Sequence, residues 1–363
     1  MFYTRPTIME IDLNKFNHNL NEIRKYIGEE KEIMPIIKAN AYGTYINKRL
    51  DIINKFNIVA VAITNEAIEL RQLGYNKEIF ILNQPYIDEL ENILKYNITI
   101  GLSSKEFLEE LIKQNINIKV HLEIETGMNR TGINLNELED FITKIKQESN
   151  IKVTGIYTHL SSADNDYEYT NKQLEIFKKA LDIAKQHFNT IKYIHTSASN
   201  GLLNFKENLT NLVRPGIIMY GYPSYTNNLI NIKPIAALKS KITFIKEVPA
   251  NTSIGYNRSY ITNKPTKIAT IPIGYADGLR RELSNKGKVI INNTLVPIIG
   301  KICMDSFMAD ITTLKDIKIG DDVYILDNNL ITLEELSNNC NTINYEILST
   351  ISTRVPRIYI EKD

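Results

Sequence analysis

The sequence predicts a (β/α)8 barrel followed by an all-β domain. Eight short apolar runs alternate with helical patterns in the first two-thirds of the chain, and most of these runs are continuous stretches of Ile and Val, as expected for strands covered on both faces. From Pro234 onward, short β-like runs separated by turn residues replace the long helical patterns. The predicted barrel strands are Ile33–Ile37, Ile58–Ala62, Glu78–Leu82, Ile98–Leu102, Ile118–Ile124, Val153–Thr158, Tyr193–Thr196 and Leu212–Arg214.

Helical patterns separate the predicted barrel strands. The clearest one begins at Asn65, a helix-capping residue type, and ends at Gly74; two others cover Asn136–Lys146 and Tyr169–His187. We place a domain boundary near residue 230, so that residues 10–230 form the barrel and residues 231–363 the β domain. The predicted strands of the β domain are Ala237–Lys246, Lys267–Ile273, Lys288–Ile291, Val296–Ile299, Phe307–Asp310 and Asp322–Leu326, with a short helix at Leu333–Cys340.

Charge and cysteine content exclude several classes of protein. The 363 residues include 43 Lys and Arg against 42 Asp and Glu, a net charge of +1, which gives no bulk electrostatic attraction to nucleic acid or an anionic membrane. The two cysteines, Cys303 and Cys340, are too few for a disulfide scaffold or a cysteine-rich metal site, and we expect no metal. With no apolar leader and no apolar stretch of about 18 residues, the sequence predicts a cytoplasmic protein.

Reactive side chains follow the predicted barrel strands directly. In this fold, catalysis takes place at the carboxyl ends of the strands, so these side chains are expected to share one rim. They are Lys38 after the first strand, Arg130 after the fifth, His159 after the sixth, Ser197 and Ser199 after the seventh, and Arg214 with Gly216 and Ile217 at the eighth.

Two of these positions together suggest a cofactor. Lys38 follows an apolar strand, and burial lowers the pKa of a lysine, which yields an amine able to form a covalent bond to a carbonyl. The backbone amides of Gly216 and Ile217, with Ser199, lie where this fold usually binds phosphate. Each feature alone is ordinary, since lysines often end strands and Pro-Gly is a turn signal. An amine and a phosphate cradle on one rim suggest pyridoxal 5′-phosphate.

The motifs around these residues resemble those of bacterial alanine racemases, in order and over nearly the whole chain. The run from Ile37 to Gly43 is similar to the cofactor-lysine motif of that family. The other motifs are Thr126–Gly132, Thr158-His159, Val213–Gly216, Ile254–Tyr256, Ile273–Gly278, Cys303–Asp305, Asn344–Glu346 and Arg354–Arg357.

The resemblance implies a homodimer in which each active site combines one barrel with the β domain of the other copy, which residues 1–9 join. It implies two bases for racemisation of alanine, Lys38 and Tyr256 of the second copy, because the proton must leave one face of the α-carbon and return on the other. D-alanine would serve peptidoglycan synthesis.

The resemblance also assigns the remaining site residues. Arg130, the Met304 backbone and Tyr275 would bind the substrate, and Tyr275 and Tyr345 would narrow the entrance. The cofactor-binding residues would be Lys38, Tyr42, His159, Ser199, Arg214, Gly216, Ile217 and Tyr345.

Some positions depart from the family pattern. Thr44-Tyr45 stands where the family usually has His-Gly, and Ala198 replaces an asparagine before Ser199. Glu123 occupies the position of a lysine that becomes carbamylated in many members, and we infer that its carboxylate supplies the same negative charge to Arg130. Which of Arg280 and Arg281 lines the entrance stays open.

Three alternatives remain beside an alanine racemase. A serine or broad-specificity racemase of the same family would share all the chemistry, although such relatives are usually exported and no leader is evident here. A decarboxylase with the same barrel would need a glycine-rich phosphate loop and a different cysteine motif. A non-catalytic cofactor-binding barrel would not need the domain that carries Tyr256.

Overall fold

The computed structural model describes residues 5–148, 150–205, 208–223 and 229–361, and the structural statements below concern these ranges. Strand β1 (Ile8–Asp12) comes first and is followed by a helix capped by the Asp12 carboxylate, which accepts a hydrogen bond from the backbone amide of Lys15. In these ranges, no helix combines the length and the apolar composition that a membrane span requires.

Eight parallel barrel strands follow within the described ranges, one for each predicted apolar run. The strands are β2 (Glu32–Ile33), β3 (Ile58–Val61), β4 (Glu78–Ile81), β5 (Thr99–Leu102), β6 (Lys119–Glu123), β7 (Lys152–Tyr157), β8 (Tyr193–His195) and β9 (Leu212–Val213). The helices around them are α1 (Leu13–Ile27), α2 (Leu50–Ile53), α3 (Thr64–Leu73), α4 (Leu90–Lys95), α5 (Lys105–Lys113), α6 (Leu138–Glu148), α7 (Tyr167–His187) and α8 (Ser199–Asn204).

The first barrel strand closes the barrel by changing partners. Strands β3 to β8 form one six-stranded parallel sheet, and β2 pairs with β9. The predicted strand Ile33–Ile37 is shorter in the structure because the chain then turns from one neighbour to the other. The Ile36 amide donates to the Pro215 carbonyl, and the Ile37 amide donates to the Ala60 carbonyl of β3. The result is a (β/α)8 barrel whose strands end on one rim.

The second unit is built on a nine-stranded sheet. Its order is β11-β14-β17-β16-β15-β18-β10-β1-β19. The predicted run Ala237–Lys246 is two strands rather than one, because β10 pairs with β18 whereas β11 pairs with β14. The elements are β10 (Ala236–Lys241), β11 (Phe244–Val248), β12 (Ser253–Ile254), β13 (Tyr260–Ile261), β14 (Thr266–Ile271), β15 (Lys288–Ile291), β16 (Thr294–Ile299), β17 (Phe307–Asp310), β18 (Asp322–Leu326), α9 (Leu333–Asn339), α10 (Asn344–Thr350) and β19 (Arg357–Ile360).

Strand β1 belongs to the sheet of the second unit, although it precedes the barrel in sequence. It pairs antiparallel with β10 and parallel with β19. The boundary near residue 230 stays a prediction, since it falls beside residues 224–228, which lie outside the described ranges.

Candidate active site

A cavity of about 290 Å³ opens at the carboxyl ends of the barrel strands. Eight of the predicted site residues contribute to its wall, which is the rim where the fold places catalysis. They are Lys38, Tyr42, Arg130, His159, Ser199, Arg214, Gly216 and Tyr345. Leu82, Asn83, Glu123, Tyr157 and the segment around Ser161 and Asp164 complete much of the remaining wall.

Lys38 lies at the end of the first barrel strand and is partly buried. Burial lowers the pKa of its amine, and the positive charges of Arg130 and Arg214 lower it further, whereas Glu66 raises it. The effect of burial is the largest of these. The lowered pKa of the Lys38 amine agrees with the prediction from the sequence.

A left-handed turn follows Lys38. Ala39, Asn40, Ala41 and Tyr42 have φ values between 51° and 56°, a region that costs an L-residue about 1–2 kcal/mol. Gly43 continues the turn at φ 78°, and its amide donates to the Ala39 carbonyl at 2.9 Å. The turn directs the Tyr42 side chain into the cavity wall, where the ring packs against the ring of Tyr345 with their centroids 5.8 Å apart.

Tyr42, Ser199 and Gly216 form a tight corner of the wall. The Gly216 amide donates to Ser199 Oγ at 3.1 Å, and a β-carbon on Gly216 would collide with Tyr42 Oη. Only glycine allows the tyrosine hydroxyl to approach the backbone here. Ile217, which was expected to help bind the phosphate, is fully buried directly after this corner and is not part of the cavity wall.

Arg214 is 2% exposed and connects the cavity to a pair of buried histidines. Its Nη1 donates to His195 Nδ1 at 2.7 Å, and its Nη2 lies 3.3 Å from His159 Nδ1. His195 Nε2 in turn lies 2.9 Å from His121 Nδ1. Nη2 also donates to the carbonyls of Thr158 and Thr196. The bonds hold the guanidinium in one orientation at the cavity wall.

The three histidines of this group are held neutral. Burial, followed by the charge of Arg214, lowers the pKa of both His121 and His159 to about 3. Burial likewise places the pKa of His195 well below its ordinary value. Of these three histidines, only His159 is among the predicted site residues; His121 and His195 are expected from the sequence to be structural or surface residues. A usable signal exists, because His121 stands between Val120 and Leu122 in a strand that is otherwise apolar.

Arg130 and Glu123 contribute to the same wall but form no ion pair in the described part of the chain. Arg130 is exposed, whereas Glu123 is 4% exposed and accepts a hydrogen bond from Thr131 Oγ1 at 2.9 Å. Glu123 Oε2 is buried without a hydrogen-bond partner. Burial raises the pKa of this carboxyl group, which the hydrogen bond from Thr131 offsets in part. The charge of Arg130 also lowers the pKa of this carboxyl group, and the predicted role of Glu123 toward Arg130 stays a prediction.

Tyr256, Tyr275 and Met304 lie outside the cavity wall in the single chain. They are 64%, 44% and 52% exposed, which is unusual for large apolar side chains. Tyr256 borders a separate shallow depression that also includes Cys303. Tyr345 is the one predicted residue of the second unit that reaches the barrel cavity in the described chain.

Ion pairs and backbone hydrogen bonds hold Tyr275 and Met304 next to each other. The Ala276 amide donates to the Met304 carbonyl at 3.0 Å. Arg354 bridges Asp277 and Asp305, at 3.4 Å and 2.6 Å. Arg280 forms an ion pair of 3.1 Å with Glu346, the neighbour of Tyr345, but neither Arg280 nor Arg281 is part of the cavity wall among the described residues.

Comparison with known proteins places this arrangement in a family. The alanine racemase N-terminal domain matches residues 11–224, and the alanine racemase C-terminal domain matches residues 235–359. An alanine racemase of Halothermothrix orenii is 37% identical over 371 residues, covering 99% of this chain and 98% of that protein.

Solved structures of alanine racemases are also similar to this chain. The alanine racemase of Bacillus anthracis with bound L-Ala-P superposes with a TM-score of 0.93 at 31% identity, covering 99% of this chain and 96% of that one. The alanine racemase of Bartonella henselae with covalently bound pyridoxal phosphate superposes with a TM-score of 0.88 at 30% identity, covering 98% of this chain and 99% of that one. The protein is thus an isomerase of the amino-acid racemase class. The chain belongs to the alanine racemase family.

Proposed function

We propose that this protein interconverts L-alanine and D-alanine with pyridoxal 5′-phosphate as cofactor and supplies D-alanine for peptidoglycan. The observation that carries the proposal is the Lys38 amine, whose pKa is lowered by burial, in one cavity wall with Arg214 and the corner at Gly216. The similarity to proteins named alanine racemase supports the substrate.

The residues of the cavity fit this cofactor. The close approach of Tyr42 Oη and the Gly216 backbone, with Ser199 Oγ beside them, concentrates hydroxyl and backbone groups suited to a phosphate. Lys38 supplies the amine for a covalent link, and Arg214 supplies a fixed donor for a ring nitrogen. The Nδ1 atom of His159 lies 3.3 Å from Nη2 of Arg214, and the imidazole would lie against the ring of the cofactor.

Two bases on opposite faces of the substrate are needed for racemisation. When bound, pyridoxal phosphate withdraws electrons from the α-carbon of the amino acid and so makes its α-proton acidic. Lys38 Nζ would take or return the proton on one face, and Tyr256 Oη of a second copy would do so on the other. Arg214 cannot give up its own proton at neutral pH, so it would leave a ring nitrogen it contacts unprotonated.

Binding of the substrate would combine both chains. Arg130 would hold the carboxylate together with the Met304 backbone amide of a second copy. Tyr345, with Tyr275 of that copy, would leave room for a side chain as small as a methyl group. The exposure of Tyr256, Tyr275 and Met304 in the single chain supports a homodimer that covers them.

The test is an exchange experiment with the purified protein. It is incubated with pyridoxal phosphate and L-alanine in D2O, and α-deuteration and the D/L ratio are followed over time. We expect equal D- and L-alanine with deuterium at the α-carbon. Lys38→Ala should abolish both signals, and Tyr256→Phe should abolish formation of deuterated D-alanine from L-alanine. Lys55→Ala and Tyr260→Phe are the matched controls outside the cavity wall.

The other outcomes separate the parts of the proposal. Deuterium exchange without D-alanine in the unaltered protein would mean that a base acts on only one face of the α-carbon, which would overturn the two-base part of the proposal. Failure to exchange alanine while the cofactor is bound would overturn alanine as substrate. A parallel incubation with L-serine then decides whether a serine racemase takes its place.

A further inference from the structure

Glu66 connects the segment after Lys38 to the neighbouring barrel strand. The residue lies in the first turn of α3. Its Oε1 accepts a hydrogen bond from the Ala39 amide at 2.6 Å, and its Oε2 accepts one from the Ala62 amide at 2.8 Å. Ala39 directly follows Lys38, and Ala62 directly follows β3. One carboxylate therefore joins the carboxyl ends of two adjacent strands.

The Ala39 amide is where the left-handed turn begins. The hydrogen bonds within the turn run from the Gly43 and Tyr45 amides to the carbonyls of Ala39 and Asn40. The Ala39 amide precedes them and takes Glu66 as its acceptor. Because the turn is a costly conformation for L-residues, it persists only where its surroundings hold it.

Glu66 also acts on Lys38 electrostatically. Three charged groups act on the Lys38 amine in the described chain: Arg130 and Arg214 lower its pKa, and Glu66 raises it. The carboxylate thus opposes the two arginines and supports the protonated amine.

We propose that Glu66 is a positioning residue for Lys38: its carboxylate fixes the turn that aims the lysine amine into the cavity and balances the arginine charges around it. The proposal rests on the proposed function insofar as Lys38 bonds the cofactor. A change to Gln would turn one acceptor into an NH2 group facing a backbone N–H, so one of the two bonds would be lost together with the charge.

The first measurement uses the cofactor-free protein. The reactivity of the Lys38 amine toward acetic anhydride is followed across pH by mass spectrometry, in the unaltered chain and in Glu66→Gln. We expect Lys38 of the variant to titrate at lower pH and to react about threefold faster at pH 7, because the attractive charge is gone. Glu66→Asp keeps the charge and should titrate close to the unaltered chain.

Glu69→Gln is the matched control, because Glu69 lies on the same helix and pairs with Lys48 at 2.9 Å on the surface. It should leave the Lys38 titration unchanged. Circular dichroism shows whether each variant is folded, and Glu66→Asp provides a second variant if Glu66→Gln is not.

The second measurement uses the loaded enzyme. We expect kcat for alanine to fall about tenfold or more in Glu66→Gln and less in Glu66→Asp, with a smaller change in KM, because misdirecting a reacting amine impairs the chemical step more than binding. The absorbance of the lysine–cofactor adduct should shift its pH dependence in Glu66→Gln only.

The proposal is overturned if Glu66→Gln is folded and matches the unaltered chain in three respects: the titration of Lys38, the pH dependence of the adduct absorbance, and kcat for alanine. Reduction of the loaded unaltered protein with borohydride, followed by peptide mapping, tests separately whether Lys38 bonds the cofactor. A negative mapping result would count against the proposed function, while the titration of Lys38 would still decide whether Glu66 acts on it.

Discussion

Arg214 and His195 meet in a hydrogen bond whose direction is fixed by chemistry. A guanidinium has no acceptor, so Arg214 Nη1 donates across 2.7 Å and His195 Nδ1 accepts. His195 then carries its proton on Nε2 and donates it to His121 Nδ1, which leaves the His121 proton on Nε2. Both rings are fully buried, and protonating His195 would place two donors against each other. One arginine thus sets the tautomers of two histidines.

The buried neutral histidines around Arg214 predict that acid lowers the free energy of unfolding. The ordinary pKa of a histidine is about 6.5 and holds in the unfolded chain, whereas the folded values of His121 and His159 are about 3. Below pH 6.5 the unfolded chain binds protons that the folded chain excludes. The free energy of unfolding should fall by about 1.4 kcal/mol per pH unit for each such histidine as pH decreases toward 3. Urea unfolding at several pH values measures this slope.

His121→Phe tests the contribution of a single ring. The slope should decrease by about one proton equivalent, and the stability at pH 7 should decrease by about 1–3 kcal/mol because His195 loses its acceptor. His187→Gln, at the exposed end of α7, serves as the control. An unaltered slope in His121→Phe would mean that His121 is already charged in the folded protein.

Gly216→Ala should weaken cofactor binding without unfolding the protein. The added methyl group would displace the Tyr42 hydroxyl, and we expect the affinity for pyridoxal phosphate to fall at least about tenfold. Fluorescence titration of the apoprotein measures it. Tyr42→Phe removes the obstructing oxygen, so the double variant should lose less than the sum of the two single losses. Simple additivity would show that the two residues do not meet.

Gly43→Ala should destabilise the chain far more than Gly74→Ala. Both glycines lie in the left-handed region, with φ 78° and ψ −1° at Gly43 and φ 103° and ψ 13° at Gly74, so both substitutions carry a similar backbone cost of about 1–2 kcal/mol. A β-carbon on Gly74 would lie 3.5 Å from Leu50 Cδ1, an ordinary contact, whereas one on Gly43 would collide with the Leu348 carbonyl oxygen of the second unit. Thermal unfolding should place Gly43→Ala at least about 2 kcal/mol below Gly74→Ala. Equal losses would contradict the close contact between the units.

Glu123→Gln should raise KM for alanine about tenfold. We expect the Glu123 carboxylate to form a hydrogen bond with Arg130 when the substrate carboxylate binds. The variant would lose the charge in that hydrogen bond. In the free chain the carboxylate is buried beside Thr131 and Tyr157 and forms no ion pair with any described residue. Steady-state kinetics against Glu137→Gln, a surface change on the same side of the barrel, measures the effect. A KM equal to that of the unaltered enzyme in a folded variant would rule out this role.

The sequence predicts the barrel well because its strands are continuous apolar runs, a pattern that depends on burial alone. It also places Lys38 and Arg214 on the correct rim, because strand ends fix their positions. It does not predict that the first strand changes partner after Ile33, since that depends on hydrogen bonds to Pro215 and Ala60 that are distant in sequence.

The parts of the site that the sequence does not predict depend on pairs of residues far apart in the chain. His121 and His195 meet across 74 residues, and each strand alone shows only an isolated histidine. From the sequence, Glu66 is an ordinary acidic residue in the first turn of a helix. Its hydrogen bond from the Ala39 amide depends on the left-handed turn, which the sequence does not predict. Family motifs identify side chains that face the cavity. The contacts named here instead involve a backbone amide, that of Ala39, and two histidines, His121 and His195, that lie behind Arg214.

The placement of β1 between β10 and β19 has a consequence for folding. Strand β19 joins the sheet through β1, so the last strand of the described chain docks on its first. The nine-stranded sheet is completed only when both ends of the described chain are present. A fragment that begins after the barrel would leave one edge of β10 unpaired and β19 without its partner strand, and it should aggregate rather than fold alone.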